Sequence, residues 1–266
     1  MFLAEPPRTQ FDLNFQVLGF PVRIHPLFWL VGIIMGFDGS SGGIGIVIWL
    51  FAMFVSILIH ELGHALMIRR FRRDAHIVLY AMGGLAIEGR PQGSFGSPWS
   101  FESYSPYQAR PRTPYEQILI SAAGPGIQLA LAAAIIVMLQ ATGSKVTPGF
   151  VGILPIHELH PGGALAENAN LARLADAMLD INIFWAFINL LPVLPLDGGQ
   201  IALQFLVQQD PWAGMQRALW LSVFTGGAMA LFSLVVLHAP LMMMLFASLA
   251  VSSYLSLQQS GGHRPW

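Results

Sequence analysis

The chain has 266 residues, of which 55% are hydrophobic and only 10% charged, with a formal net charge of −1. Soluble domains carry about 25% charged residues, so this composition, with a mean hydropathy of +0.60, excludes an ordinary soluble enzyme and points to a multi-pass membrane protein. The balanced charge leaves no electrostatic footprint for nucleic acid, and with no cysteine neither disulfides nor thiolate metal sites can form.

Residues 1–23 are polar-mixed and lack the apolar core of a cleavable signal. Residues 11–25 alternate well enough to predict two short strands turning at Gly19-Phe20-Pro21. Residues 24–37 are apolar but reach only about 21 Å as a helix, so a first span there is short or tilted. A Gly/Ser loop (39–45) leads into a second span, 44–68, in which Glu61 is the only Asp, Glu, Lys or Arg. At 1.5 Å per residue it reaches roughly 37 Å, enough to cross a ~30 Å hydrocarbon core. It ends in the basic cluster Arg69-Arg70-Phe71-Arg72-Arg73, which reads as a cytoplasmic anchor. Residues 76–89 straddle Gly83-Gly84 with β-branched and apolar residues, a two-residue hairpin signal. The stretch 91–112, with four prolines and five aromatics, is a flexible loop or a flap over a site.

Thr113-Pro114-Tyr115-Glu116 is a capping box with proline at N1. It starts a third span, 115–141, which contains Ala123-Gly124-Pro125. Residues 142–170 read as a Gly/Pro/His-rich loop. A fourth span, 174–195, breaks at Pro192 and Pro195 just before Leu196-Asp197-Gly198-Gly199. Asp210-Pro211 caps a fifth span, 212–238, and Pro240 separates it from a sixth, 241–257. The expected fold is therefore an all-α, six-helix membrane protein with a small membrane-associated β-hairpin, forming a single domain over 1–266. With the N-terminus cytoplasmic, 11 of the 13 basic residues fall on that side and only Lys145 and Arg173 outside, which predicts cytoplasmic N- and C-termini.

The chemistry sits in the second span, at His60-Glu61-Leu62-Gly63-His64. On a helix, residues i and i+4 share a face, so His60 and His64 can present two imidazoles to one metal ion. Glu61 lies beside them as a proton acceptor that need not be a ligand. A core histidine is commonly hydrogen-bonded filler, but two histidines and a glutamate inside lipid are penalised unless they serve a function. A catalytic zinc takes three protein ligands. The fourth span brings Asp197 to the cytoplasmic half, at the depth of His64. The bland reading of Asp197 is a turn residue before Gly-Gly, or an N-cap for a helix at 200–209. Asp176, Asp180, His157 and His160 are rival ligands, but the charge split puts them in the outer half. His157 and His160 then read as solvated loop residues, and Asp180 and Asn182 as interhelical hydrogen-bonding groups.

The His60–His64 motif, together with Asn189-Leu190-Leu191-Pro192-Val193-Leu194-Pro195-Leu196-Asp197-Gly198-Gly199, resembles the site-2 protease family of intramembrane zinc metalloproteases. The resemblance implies one Zn²⁺ per chain held by His60, His64 and Asp197, and a role for Asn189 in holding the substrate carbonyl or its oxyanion. Ala123-Gly124-Pro125 is similar to a further family signature, which continues with Asn three residues after the proline; here that position is Gln128. The segment from Tyr80 to Ala86 is similar to the family's membrane-associated hairpin. The resemblance implies hydrolysis of single-span transmembrane substrates near the cytoplasmic face of a prokaryotic cytoplasmic membrane, with Glu61 as general base. An edge strand of the hairpin could pair with an unwound substrate, which makes Leu79, Tyr80, Ala81, Met82, Gly83 and Gly84 candidate substrate contacts; the other reading is a structural hairpin. Two other function classes use the same residues: a zinc or ion transporter with a transit site, and a protease-like scaffold that binds membrane helices without cutting.

Overall fold

The longest helix forms where nothing breaks it and two faces differ. In the computed structural model, which describes residues 6–36, 42–81, 83–89 and 111–261, that helix is α2, Gly42–Arg70. Ile44, Val47 and Phe51, at helical spacing on one stripe, are more than half exposed and suit a lipid-facing side. Ala52, Ser56, His60, Gly63 and His64 are buried on the other.

Around α2 the chain folds as β1 (Leu13–Val17), β2 (Phe20–Ile24), α1 (Pro26–Gly36), then β3 (Ala75–Tyr80) and β4 (Gly83–Glu88) after α2. The four strands make one sheet in the order β1-β2-β3-β4. β1–β2 and β3–β4 are antiparallel, whereas β2–β3 is parallel, with Val22 opposite Ile77 and Ile24 opposite Leu79. A parallel pair needs a long crossover, and α1 with α2 supplies it. The buried residues Val22, Ile24, Ile77, Val78 and Leu79 make the two central strands the sheet's core, each worth about 1.5–3 kcal/mol of transfer free energy.

The β1–β2 turn falls at Leu18-Gly19, one residue earlier than expected, with positive φ at both (51° and 81°). That is the backbone of a two-residue hairpin turn. Leu18 is held there by Arg69, whose guanidinium donates to the Leu18 carbonyl at 2.8 Å and lies 4.3 Å over the Phe20 ring. At the opposite end of the hairpin, burial works against the Asp12 carboxylate, but hydrogen bonds from Thr9 and from the Arg23 guanidinium at 2.9 Å hold it below the usual carboxylate range.

The next helices are α3 (Pro114–Ala141), α4 (Ala164–Glu167), α5 (Ala169–Asp180), a π-turn over Ile181–Trp185, α6 (Ala186–Asn189), α7 (Asp197–Gln209), α8 (Pro211–Val235) and α9 (Pro240–Gly261). The capping box at α3 closes both ways: Thr113 N–H donates to Glu116 Oε2 at 3.1 Å, and Glu116 N–H to Thr113 Oγ1 at 3.2 Å. Asp210 Oδ1 caps α8 by accepting from Ala213 N–H at 3.1 Å.

Four described helices, α2, α3, α8 and α9, are long and apolar enough to cross a membrane. The other two expected spans are shorter or interrupted. Residues 24–37 give only the 11-residue α1, and 174–195 gives α5, the π-turn and α6 before Pro192 and Pro195 stop the helix. The loop expected at 142–170 is instead a hairpin, β5 (Lys145–Val151) with β6 (Leu154–His160). In a two-stranded sheet one side of each strand is free, so Pro148 does not break the ladder. His157 is not solvated: its side chain is 3% exposed and bonds Asp176 at 3.0 Å and Asp180 at 3.5 Å, which pins β6 to α5. The proposed flap at 91–112 lies outside the described residues, apart from 111 and 112.

The chain divides into two compact units, one from 1–111 and 123–187, the other from 112–122 and 188–266. In the first, Ala132, Leu139, Leu165 and Leu179 form an apolar cluster beneath the β5–β6 hairpin. In the second, α7, α8 and α9 follow one another, with Trp220 stacked on Phe224 at 5.4 Å between ring centroids.

Candidate metal centre

Helical spacing brings His60 and His64 together as expected. Their Nε2 atoms face each other at 2.9 Å, and both rings are buried. Each imidazole therefore aims a nitrogen at the same small volume, within the reach of an ion bound at about 2.0–2.1 Å from each nitrogen.

The other ring nitrogen of His60 is also fixed. Its Nδ1 lies 2.9 Å from Gln128 Oε1 on α3. Gln128 donates its amide to the Ser56 carbonyl at 3.4 Å, which leaves Oε1 to accept from Nδ1–H and assigns the His60 lone pair to Nε2. Ser56 belongs to the same chain of bonds, because its Oγ accepts from Asn182 Nδ2 at 2.8 Å. A π-turn residue, a serine one turn before His60 and a fully buried glutamine thus hold one imidazole in one orientation, the support a metal ligand needs. Gln128 stands where the resemblance has Asn, and the longer amide reaches His60.

Two glycines leave the space this pair occupies. A Cβ at Gly124 would collide with His64 Nε2 and come 2.8 Å from His60 Cε1. A Cβ at Gly63 would lie 2.6 Å from the Ala123 carbonyl. α2 and α3 therefore touch at Gly63 and Gly124, small residues that let two backbones approach in a membrane bundle.

Glu61 is 4% exposed and is covered by the hairpin. A Cβ at Gly84 would collide with its Cγ and fall 2.6 Å from its Cδ and Oε1. This corrects the expected hairpin geometry. Gly83-Gly84 is not the turn; the strands pair Tyr80 with Gly83 and Leu79 with Gly84, so the connection is 81–82. Gly84 is glycine because a carboxylate lies against it. Of the six candidate substrate contacts, Leu79 is fully buried in β3, which is flanked by β2 and β4. Tyr80 packs edge-on against His25 at 5.0 Å. Only Gly83 and Gly84 lie on the sheet's edge strand, Ala81 sits in the turn, and Met82 lies outside the described residues.

The remaining site candidates belong to the second unit. Asn189 ends α6. Asp197 opens α7 as its first helical residue, not as its cap, which is Leu196 with no side-chain cap bond. Gly198 and Gly199 form no turn; both lie in the helix and serve close approach. A Cβ on Gly198 would collide with the Leu190 carbonyl and sit 2.6 Å from that of Leu191; one on Gly199 would meet the Val193 carbonyl at 2.5 Å. The Pro192–Pro195 segment is thereby packed onto the first turn of α7. Ser222 of α8 holds it from the other side, accepting from Leu194 N–H at 2.9 Å. Nothing in the sequence singled out Ser222, which is one of several serines in apolar helices.

A family model for peptidase family M50 matches residues 48–234, a stretch containing every one of these groups. The chain belongs to peptidase family M50, the site-2 protease family. Within that family it is 27% identical over 199 residues to a candidate zinc metalloprotease of Synechocystis sp., a match covering 70% of this chain and 41% of that protein. The chain thus spans about two fifths of the length of that curated relative. The site-2 protease of Methanocaldococcus jannaschii has a similar fold, with a TM-score of 0.54 at 19% identity, over 93% of this chain and 95% of that one.

Proposed function

We propose that this M50 protein is an intramembrane zinc protease that cuts membrane-spanning protein segments near the cytoplasmic face. The observation that carries the reading is the buried His60–His64 pair, its nitrogens at 2.9 Å, with the Glu61 carboxylate under the edge strand of a sheet. His60, His64 and Asp197 offer two ring nitrogens and one carboxylate oxygen, a donor set that suits zinc. The space that Gly124 leaves against both imidazoles fits the same assignment.

Zinc held there would supply Lewis acidity to water and to a peptide carbonyl. The chain's own residues do the rest. Gln128 keeps the proton on His60 Nδ1, which leaves the lone pair on Nε2. Glu61 accepts a proton from the attacking water at a carboxylate oxygen and returns it to the leaving amine. Asn189, by its place in the family motif, donates its amide to the substrate carbonyl as charge develops. Strand β4, an edge of the sheet among the described residues, would offer its outer side to an unwound substrate. A transmembrane helix has its own backbone bonded internally and must open before it can be cut, and an edge strand gives the opened segment new partners.

The distribution of basic residues supports a cytoplasmic side for Arg69–Arg73 and both termini. α1 and the α5–α6 segment serve as two further, shorter spans beside the four long ones.

Elemental analysis of the purified wild type and of His60→Ala, His64→Ala and Asp197→Ala tests the ligand set. One zinc per chain in the wild type and little in each variant is expected, together with cleavage of a co-expressed single-span substrate by the wild type alone. If Asp197→Ala held zinc as tightly as the wild type, the third ligand would be another residue.

A further inference from the structure

An apolar pocket opens beside Glu61 in the first unit, on the side away from the Arg69–Arg73 cluster. Its walls include Trp49, Met53 and Ile57 of α2, Ala81 in the hairpin turn, Gly83 at the start of β4, and Trp185 at the end of the π-turn. Met53, Ile57 and Glu61 are spaced i, i+4, i+8, so the pocket continues the helix face that carries the carboxylate. A rise of about 6 Å, just over one helical turn, separates successive members of that row. The hairpin follows the same order, for Gly84 covers Glu61 while Gly83 and Ala81 face the pocket.

From this continuity we propose that the pocket is a specificity site for one large apolar or aromatic side chain of the substrate. The inference rests on the protease reading above. A strand paired along the outer side of β4 directs alternate side chains to one face, about 6.6–6.8 Å apart. With its scissile peptide at Glu61, such a strand sets a side chain two residues away over the pocket. Gly83 and Ala81 leave room at the mouth. Aromatic and thioether groups make up much of the wall and favour flat or long apolar side chains. Trp185 reaches this wall from a π-turn, an irregularity that re-aims side chains where a helix serves a site. A membrane-spanning substrate is rich in such residues, so the pocket selects the position of the cut within an apolar sequence that otherwise offers few landmarks.

The test uses the full-length zinc enzyme in detergent or liposomes and a panel of single-span substrates. Each panel member varies one residue at a time across the cleaved region among Ala, Leu, Phe and Trp. Wild type should prefer Leu or Phe over Ala by about tenfold or more at one position two residues from the cut. Met53→Trp fills the pocket and should reverse that preference towards Ala. Trp185→Ala enlarges it and should raise the Trp-to-Leu ratio several-fold. Ratios between substrates cancel any loss of folded enzyme. Cleavage whose side-chain preference is the same in wild type and both variants, as expected of a pocket filled by a lipid chain, overturns the specificity site and leaves the protease reading standing. Failure of the zinc-loaded wild type to cut any member overturns both.

Discussion

Single residues hold the His60 and His64 rings in place, and Gln128 and Gly124 matter most among them. The two histidines and Glu61 were legible because helical spacing is local and ionisable groups are rare in an apolar span. Gln128 was visible only as a departure from the family's Asn, since its bond to His60 depends on where α3 crosses α2. Gln128→Ala removes the acceptor for His60 Nδ1–H and should weaken zinc binding about 10–100-fold while leaving the helices intact, measured by competition with a chelator of known affinity. Gly124→Ala discriminates further. Alanine favours a helix over glycine by about 1 kcal/mol, yet its Cβ would press on both imidazoles. The variant should keep its helical circular dichroism and thermal midpoint and lose most of its zinc. Retention of full zinc affinity would mean that the rings do not sit as described.

At the scale of elements, the long helices and their caps were readable, and the strands were harder. Capping boxes and prolines act within four residues, so Thr113–Glu116 and Asp210-Pro211 fell where expected. The hairpin turn was misplaced by two residues because Gly83-Gly84 carries a strong turn signal, whereas the glycine at 84 answers to Glu61 from another element. β5 and β6 were missed since Pro148 and Gly149 argue against a strand, and only the pairing with the alternating residues 154–160 overrides them. That hairpin is tied down by His157. Its hydrogen bond to Asp176 raises the imidazole above its usual range against the opposing effect of burial, with the Asp180 and Asp176 charges adding to it. A raised folded-state value means that the contact stabilises most where histidine is already protonated in the unfolded chain, below about pH 6.5. That stability is lost as pH rises through the folded-state value. The thermal midpoint of wild type should therefore exceed that of Asp176→Asn at pH 5.5, and the gap should shrink by pH 8.5. Half-exposure of Asp176 keeps the effect small. A gap that widened with pH would contradict the pairing.

At the scale of the whole molecule, composition alone announced a membrane protein, and the charge split predicts its direction. The parallel β2–β3 pair was not legible, because it joins residues more than 50 positions apart across two helices, and neither strand carries a signal naming its partner. The chain's lack of cysteine makes orientation easy to measure. Single cysteines replacing Arg72 and Arg264 should react with impermeant maleimide only from the cytoplasmic side, and one replacing Lys145 only from outside. Labelling of position 72 from outside would reverse the assignment of every span.

In the proposed mechanism Glu61 moves a proton beside a zinc ion it does not bind, and Glu61→Gln tests this role. The amide keeps the shape of the carboxylate against Gly84 but cannot accept the proton. Zinc content and thermal midpoint should match wild type, cleavage of a single-span substrate should fall by about 10²–10⁴, and uncut substrate should co-purify with the variant. Wild-type cleavage rates in Glu61→Gln would contradict the hydrolytic role, and loss of zinc would make Glu61 a ligand instead of a base.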